Sequence, residues 1–264
     1  MRLITTLIAL CLATPALACG PETDCVIGDR TYRLYVPDGA ETPMGALLFA
    51  HGYRGSAAGA MRNAALRRLA DEQGMALIAL KSTGDDWNLA HRPRAPEQAM
   101  AAEYGYVADV LADAATRVKL DDGKLVMSGF SAGGMMTWTI ACGMSERFAG
   151  FVPMSGTFWA PSPPTCTTPP ANIVHIHGTE DGTVPLAGRP IGPTKQGDVR
   201  AVLNMYAGYG GYARGETRAA PADTQCAQAR NPEGKLLEFC TFAGGHSFSV
   251  ARLRYGIEQV LGKS

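Results

Sequence analysis

The chain has 264 residues, 24 Lys plus Arg against 24 Asp plus Glu, and 46% hydrophobic residues. A formal charge of zero offers no electrostatic footprint for nucleic acid or an anionic membrane surface, which excludes both as partners. The length and apolar content are enough for a full core, and one α/β domain is the natural count.

The opening run, MRLITTLIALCLATPALA, combines a cationic start at Arg2, an apolar stretch and an Ala-Leu-Ala ending at Ala18. This is the pattern of a removed signal peptide over 1–18, too short and wrongly flanked for a membrane span. It predicts a secreted or periplasmic protein whose folded domain covers 19–264. Cleavage after Ala18 makes Cys19 the first residue, an arrangement shared with lipid-anchored bacterial proteins, although Ala16 stands where leucine is usual there. With Cys11 removed in the signal, Cys19, Cys25, Cys142, Cys166, Cys226 and Cys240 remain. An even number in an exported chain predicts disulfides, and spacing alone leaves several connectivities open. The expected pairs are neighbours that bracket turn-rich segments: Cys19 with Cys25, Cys142 with Cys166, Cys226 with Cys240. The rival, a metal site, lacks any Cys-x-x-Cys spacing, so no metal is expected.

From residue 31 onward, short β-prone runs alternate with helical patterns, which predicts an α/β fold: a mostly parallel sheet with helices on both faces. TYRLYVP alternates like an edge strand and ALLFAHG reads as a buried one. A helix around MRNAALRRLADEQG leads into the strand MALIAL, with Gly74 as the helix stop. A loop rich in Pro and charge follows, then a helix from about Pro96 to Val118 whose Tyr104, Val107, Ala108 and Leu111 recur at helical spacing. The strand KLVMSGF, a helix after Ser131, and the strands FAGFVPMSG and ANIVHIHG come next. Pro- and Gly-rich linkers, FWAPSPPTCTTPP and AGRPIGPTKQGD, separate them. A helix near DVRAVLNMYAGY, the strand KLLEFCTFAG and a helix after Phe248 complete the chain, with no internal repeat and no second domain.

In SGFSAGG, Gly129, Ser131 and Gly133 meet the pattern Gly-x-Ser-x-Gly between a predicted strand and a predicted helix. Small neighbours allow a sharp turn that lifts a serine Oγ above the sheet edge as a nucleophile. The alternative is a plain helix cap. A serine hydroxyl needs a base, and the base needs a carboxylate to fix its tautomer; in this architecture the chain order is Ser, acid, His. Asp181, just past the end of ANIVHIHG, and His246, on the Gly-Gly loop after the last strand, fill those places. Glu180 is the adjacent competitor, while Asp198 and Asp223 lie away from a strand end. His175 and His177 point to one face of their strand and read as strand and loop support, since no third metal ligand is near. His91 reads as a solvated loop residue. An oxyanion also needs two N–H donors, and Ala132, after the nucleophile, and Tyr53, in FAHGYRGS, are the candidates. His51 is then a structural residue of that turn.

Taken together, HGYRGS, GFSAGG, HGTEDGTVP and GGHSF resemble the secreted α/β-hydrolase esterases that include extracellular polyhydroxybutyrate depolymerases and feruloyl and acetylxylan esterases. The resemblance runs from about Asp29 to Leu261. It implies an α/β-hydrolase fold, Ser131 as nucleophile, Asp181 as acid, His246 as base, and backbone donors at Tyr53 and Ala132, with no cofactor. Tyr53 stands where depolymerases of this group often have cysteine, so the pocket wall differs. The final helix is followed by no linker or separate substrate-binding domain, which weakens the expectation of efficient attack on an insoluble polymer.

The expected substrate is an ester, small or oligomeric, handled by a monomer, and the expected pocket walls are Tyr53, Trp87, Trp159 and Val184. Hydroxyalkanoate or short-chain esters lead; trimming of plant cell-wall polysaccharide as a feruloyl or acetylxylan esterase is the alternative within the fold. An aminopeptidase-like role shares SGFSAGG but lacks an added domain to restrict access. A disulfide-stapled binding module without catalysis is the alternative from another class.

Overall fold

The computed structural model describes residues 19–95 and 99–263. The expected signal peptide, with Cys11, and the expected helix start at Pro96 lie outside the described residues.

In chain order the strands are β1 (Cys25–Ile27), β2 (Arg30–Tyr35), β3 (Met44–Ala50), β4 (Met75–Leu80), β5 (Leu120–Phe130), β6 (Gly150–Met154), β7 (Trp159–Ala160), β8 (Ile173–Gly178), β9 (Pro190–Ile191), β10 (Thr194–Gln196), β11 (Ala213–Ala220), β12 (Thr224–Arg230) and β13 (Leu236–Phe242). The helices are α1 (Ala57–Arg62), α2 (Ala64–Gln73), α3 (Ala99–Arg117), α4 (Ala132–Gly143), α5 (Val199–Gly210) and α6 (Val250–Val260).

Among the described residues, ten strands form the main sheet in the order β1-β2-β4-β3-β5-β6-β8-β13-β12-β11. From β4 to β13 every neighbouring pair is parallel, and the antiparallel pairs are confined to the two flanks. Strands β3, β4, β6 and β8 are buried at every position, because helices cover both faces. That is why they read as unbroken apolar runs rather than alternating ones. Helix α4 is buried along nearly its whole length, with Trp138 at its centre. A helix so apolar on every side can only run through the middle of the core.

The structure departs from the sequence reading in several places, among them a short strand β1 paired with β2 ahead of the expected first strand. The helix expected from Met61 through Gln73 is two helices, because the Asn63 side chain accepts the N–H groups of Ala65 and Leu66 and restarts the helix as its cap. The Pro-rich linkers contribute a second small sheet, β7-β10-β9, in which Gln196 pairs with Trp159. Finally, β11 and β12 form a flank hairpin from the polar runs ARGETRAA and TQCAQAR. Exposure of almost all of β11 removes the apolar alternation that would reveal a strand.

Disulfides join Cys19 to Cys25, Cys142 to Cys166 and Cys226 to Cys240. The last ties β12 to β13 at directly paired residues.

Candidate active site

The parallel strands end on one edge of the sheet, and the loops leaving that edge carry the chemistry. His51 follows β3, Ser131 follows β5, Asp181 lies three residues past β8, and His246 four past β13.

Ser131 sits at φ 60° and ψ −119°, a backbone geometry that a residue with a Cβ adopts only under strain. Its N–H donates to Met154 O at the end of β6, and its side chain makes no capping bond to α4. The helix-cap alternative for this serine therefore does not describe the structure. The flanking glycines are required by close approach: a Cβ on Gly133 would run into the Ala50 carbonyl, and one on Gly129 into the Gly133 carbonyl. Both obstacles are backbone, which cannot swing aside. Gly133→Ala is expected to destabilise the fold by about 3 kcal/mol, read as a lower urea midpoint at unchanged slope.

His246 Nδ1 donates to Asp181 Oδ2 at 2.7 Å, which leaves Nε2 with a lone pair. Its ring packs on Phe130, the residue before Ser131, with centroids 4.6 Å apart. Asp181 is buried, and its Oδ1 accepts the N–H groups of Thr183 at 2.9 Å and Val184 at 2.8 Å. Burial pushes the Asp181 pKa up, yet the hydrogen bonds from His177, His246 and Val184 N–H outweigh it and hold the carboxyl far below the usual carboxylate range. The acid and histidine loops are also laced together, Thr179 N–H donating to Phe242 O and Glu180 N–H to Gly244 O. Gly178 allows this, since a Cβ there would meet the carbonyls of Gly244 and Gly245. The Glu180 side chain points into solvent. Asp198 caps α5, and Asp223 lies in the turn between β11 and β12.

The loop after β3 abuts the serine: a Cβ on Gly52 would be 3.4 Å from Ser131 Cβ. This loop is pinned from behind. Ser82 N–H donates to His51 Nε2 at 3.2 Å, so the ring proton sits on Nδ1 and is donated to Gly52 O at 2.8 Å. Burial lowers the His51 pKa, consistent with one ring proton. Trp87 Nε1 donates to His51 O at 2.8 Å, and Arg54 N–H to Asp85 O at 2.7 Å. Among the described residues, the turn and cap hydrogen bonds use neither Tyr53 N–H nor Ala132 N–H.

Two of the expected pocket walls need correction. Trp87 has no exposed surface and Val184 has 1%, so both are packed inward rather than presented to a pocket. Trp87 instead braces the loop carrying Tyr53, and Val184 gives its N–H to Asp181. Tyr53 is 56% exposed. Trp159 lines a cavity of about 300 Å³ with Leu89, Tyr104, Phe158 and Pro161, and none of Ser131, Asp181 and His246 borders it. His91 is exposed, as expected of a loop residue. The supports Ser82 and Asp85 carried no signal in the sequence, because they lie in an irregular loop whose partners are set only by folding.

A parallel sheet whose strand ends present a serine on a strained turn, a buried aspartate and a histidine bonded to it fixes the architecture. The chain has the α/β-hydrolase fold. A family model described as phospholipase/carboxylesterase matches residues 84–190, a span that takes in Ser131 and Asp181 and stops short of His246. NocK from Nocardia uniformis subsp. tsuyamanensis, described as an esterase, is 30% identical over 169 residues, 62% of this chain and 48% of that protein. The chain thus spans about half the length of this curated relative. The acetyl xylan esterase of Aspergillus awamori superposes with a TM-score of 0.66 at 16% identity, covering 94% of this chain and 97% of that one. The fluorophosphonate-binding serine hydrolase F of Staphylococcus aureus gives 0.59 at 14% identity, covering 90% and 96%. Identities this low establish the shared α/β-hydrolase fold.

Proposed function

We propose that this α/β-hydrolase is an exported serine esterase that cleaves carboxylic esters through an acyl-enzyme, acting on hydroxyalkanoate oligomers or short-chain esters as polyhydroxybutyrate depolymerases do. The observation that carries the reading is the 2.7 Å bond from His246 Nδ1 to buried Asp181, with the His246 ring packed on Phe130, the residue before a serine whose side chain caps nothing.

In this reading Ser131 Oγ attacks the ester carbonyl while His246 Nε2 takes its proton, and Asp181 steadies the imidazolium that forms. The N–H groups of Tyr53 and Ala132 receive the oxyanion. His246 then returns the proton to the departing alkoxide. Water, deprotonated by the same nitrogen, releases the acid and restores the serine. All protons are accounted for among Ser131, His246, the alcohol and water. Three disulfides support an oxidising compartment, as expected for a chain led by a signal peptide and working as a single-domain monomer. No helix among the described residues is long and apolar enough to cross a membrane.

The test is a substrate panel on the purified chain: p-nitrophenyl esters of increasing acyl length, 3-hydroxybutyrate oligomers, methyl ferulate and acetylated xylan. Hydroxybutyrate turnover is expected to exceed ferulate turnover by at least about tenfold, a gap of ~1.4 kcal/mol in transition-state binding. A preference for ferulate or acetylxylan would reassign the substrate to plant cell-wall esters. No hydrolysis of any ester would sink the esterase reading.

A further inference from the structure

Behind the acid loop, three ring side chains that take no part in these steps form one hydrogen-bonded row. Trp138 Nε1 lies 3.0 Å from His175 Nδ1, and His175 Nε2 lies 3.0 Å from His177 Nδ1. His177 Nε2 lies 2.7 Å from Val184 O and 3.5 Å from Asp181 Oδ2. All three side chains are buried without exposed surface. The two histidines share a face of β8 because strand residues two apart point the same way.

The protons in this row have one arrangement. An indole N–H only donates, so His175 Nδ1 accepts and its proton is on Nε2. That proton makes His177 Nδ1 the acceptor and puts the His177 proton on Nε2. The far end agrees independently, since a carbonyl oxygen can only accept. Every N–H in the row therefore points towards the acid loop. Desolvation keeps the His175 pKa well below its ordinary value, in keeping with a single proton. The titratable groups against the row are Asp181, with His246 beyond it, and Tyr206, whose ring packs on Trp138 at 5.6 Å and whose hydroxyl burial keeps protonated; the rings of Trp138 and Phe239 that flank His175 carry no charge.

We infer that Trp138, His175 and His177 are positioning residues, a one-way row of donors that fixes Val184 O and aims an N–H at the Asp181 oxygen used by His246. The inference rests on Asp181 being the acid of the triad. Were the His177 proton on Nδ1, its Nε2 lone pair would face Val184 O and Asp181 Oδ2, both acceptors, and would push the loop away. A displacement of about 1 Å in such a group can cost about a hundredfold in rate.

The row can be read directly in the full chain labelled with 15N-histidine, from side-chain nitrogen–proton correlations at pH 7.5. His175 and His177 are both expected to carry a proton on Nε2 and none on Nδ1. A proton on Nδ1 of either ring would overturn the inference. A second arm compares two variants at His175. The Gln amide can accept from Trp138 and donate to His177, so His175→Gln is expected to keep kcat within about threefold. His175→Leu orders nothing and is expected to lower kcat by about ten- to a hundredfold at little-changed KM. Wild-type kcat in the leucine variant, or an equal loss in both, would refute the positioning role. Ser131→Ala, run alongside, judges the triad separately: hydrolysis that survives it removes the triad while the nitrogen spectra still decide the row.

Discussion

Ser131→Ala is expected to lower kcat for p-nitrophenyl esters by about 10⁵- to 10⁶-fold and to abolish covalent labelling by a fluorophosphonate, with no loss of stability. The two halves of this expectation come from the same geometry. The Ser131 side chain makes no bond to the backbone of α4, so removing its hydroxyl strands no partner. The backbone at φ 60° is strained for alanine and serine alike, so the variant neither gains nor loses the cost of about 1–3 kcal/mol that such a conformation carries. A serine kept in that conformation for packing alone would show the opposite result, a change in the melting midpoint with labelling intact. Hydrolysis that persists in the variant would place the nucleophile elsewhere.

How much of this site could be read from the sequence depends on how local each cause is. The strands β3, β4, β6 and β8 were legible because burial on both faces makes them continuous apolar runs. Ser131, Asp181 and His246 are readable as candidates because they stand just past β5, β8 and β13, in stretches whose glycines permit close backbone approach. Trp87 and Val184 misled because an aromatic or a valine in a polar loop looks like a pocket wall, and only the fold shows it turned inward. The β11–β12 hairpin was illegible for the converse reason: its partner is a neighbouring strand and a disulfide, not a buried face. His175 and His177 share one face of β8, as strand alternation predicts. The direction of their protons, however, is set by Trp138 from another element, 37 residues away in sequence, and no spacing rule reaches that far.

Asp181→Asn is expected to reduce kcat by about 10⁴-fold while the fold survives, and the surrounding donors explain why so small a change does so much. Oδ1 is held by the N–H groups of Thr183 and Val184. In the variant the amide oxygen must take that position, since an NH₂ there would oppose two donors. The NH₂ is then forced to the Oδ2 side, where it faces His246 Nδ1 and His177 Nε2. His246 can meet it only by accepting at Nδ1, which moves its proton to Nε2 and removes the lone pair that should receive the serine proton. Linkage gives the variant a second signature. The folded Asp181 pKa is depressed, so its contribution to stability is present above the unfolded carboxylate value of about 3.9 and is lost as pH falls towards the folded one. The stability gap between wild type and Asp181→Asn should therefore be widest near neutrality and shrink below about pH 4. Urea midpoints across that range measure it, and a gap that stays constant with pH would mean that the Asp181 carboxylate is not held by these donors. A kcat within tenfold of wild type would remove Asp181 from the triad, because a neutral His246 that accepts from the amide at Nδ1 carries its proton on Nε2 and has no lone pair for the Ser131 proton.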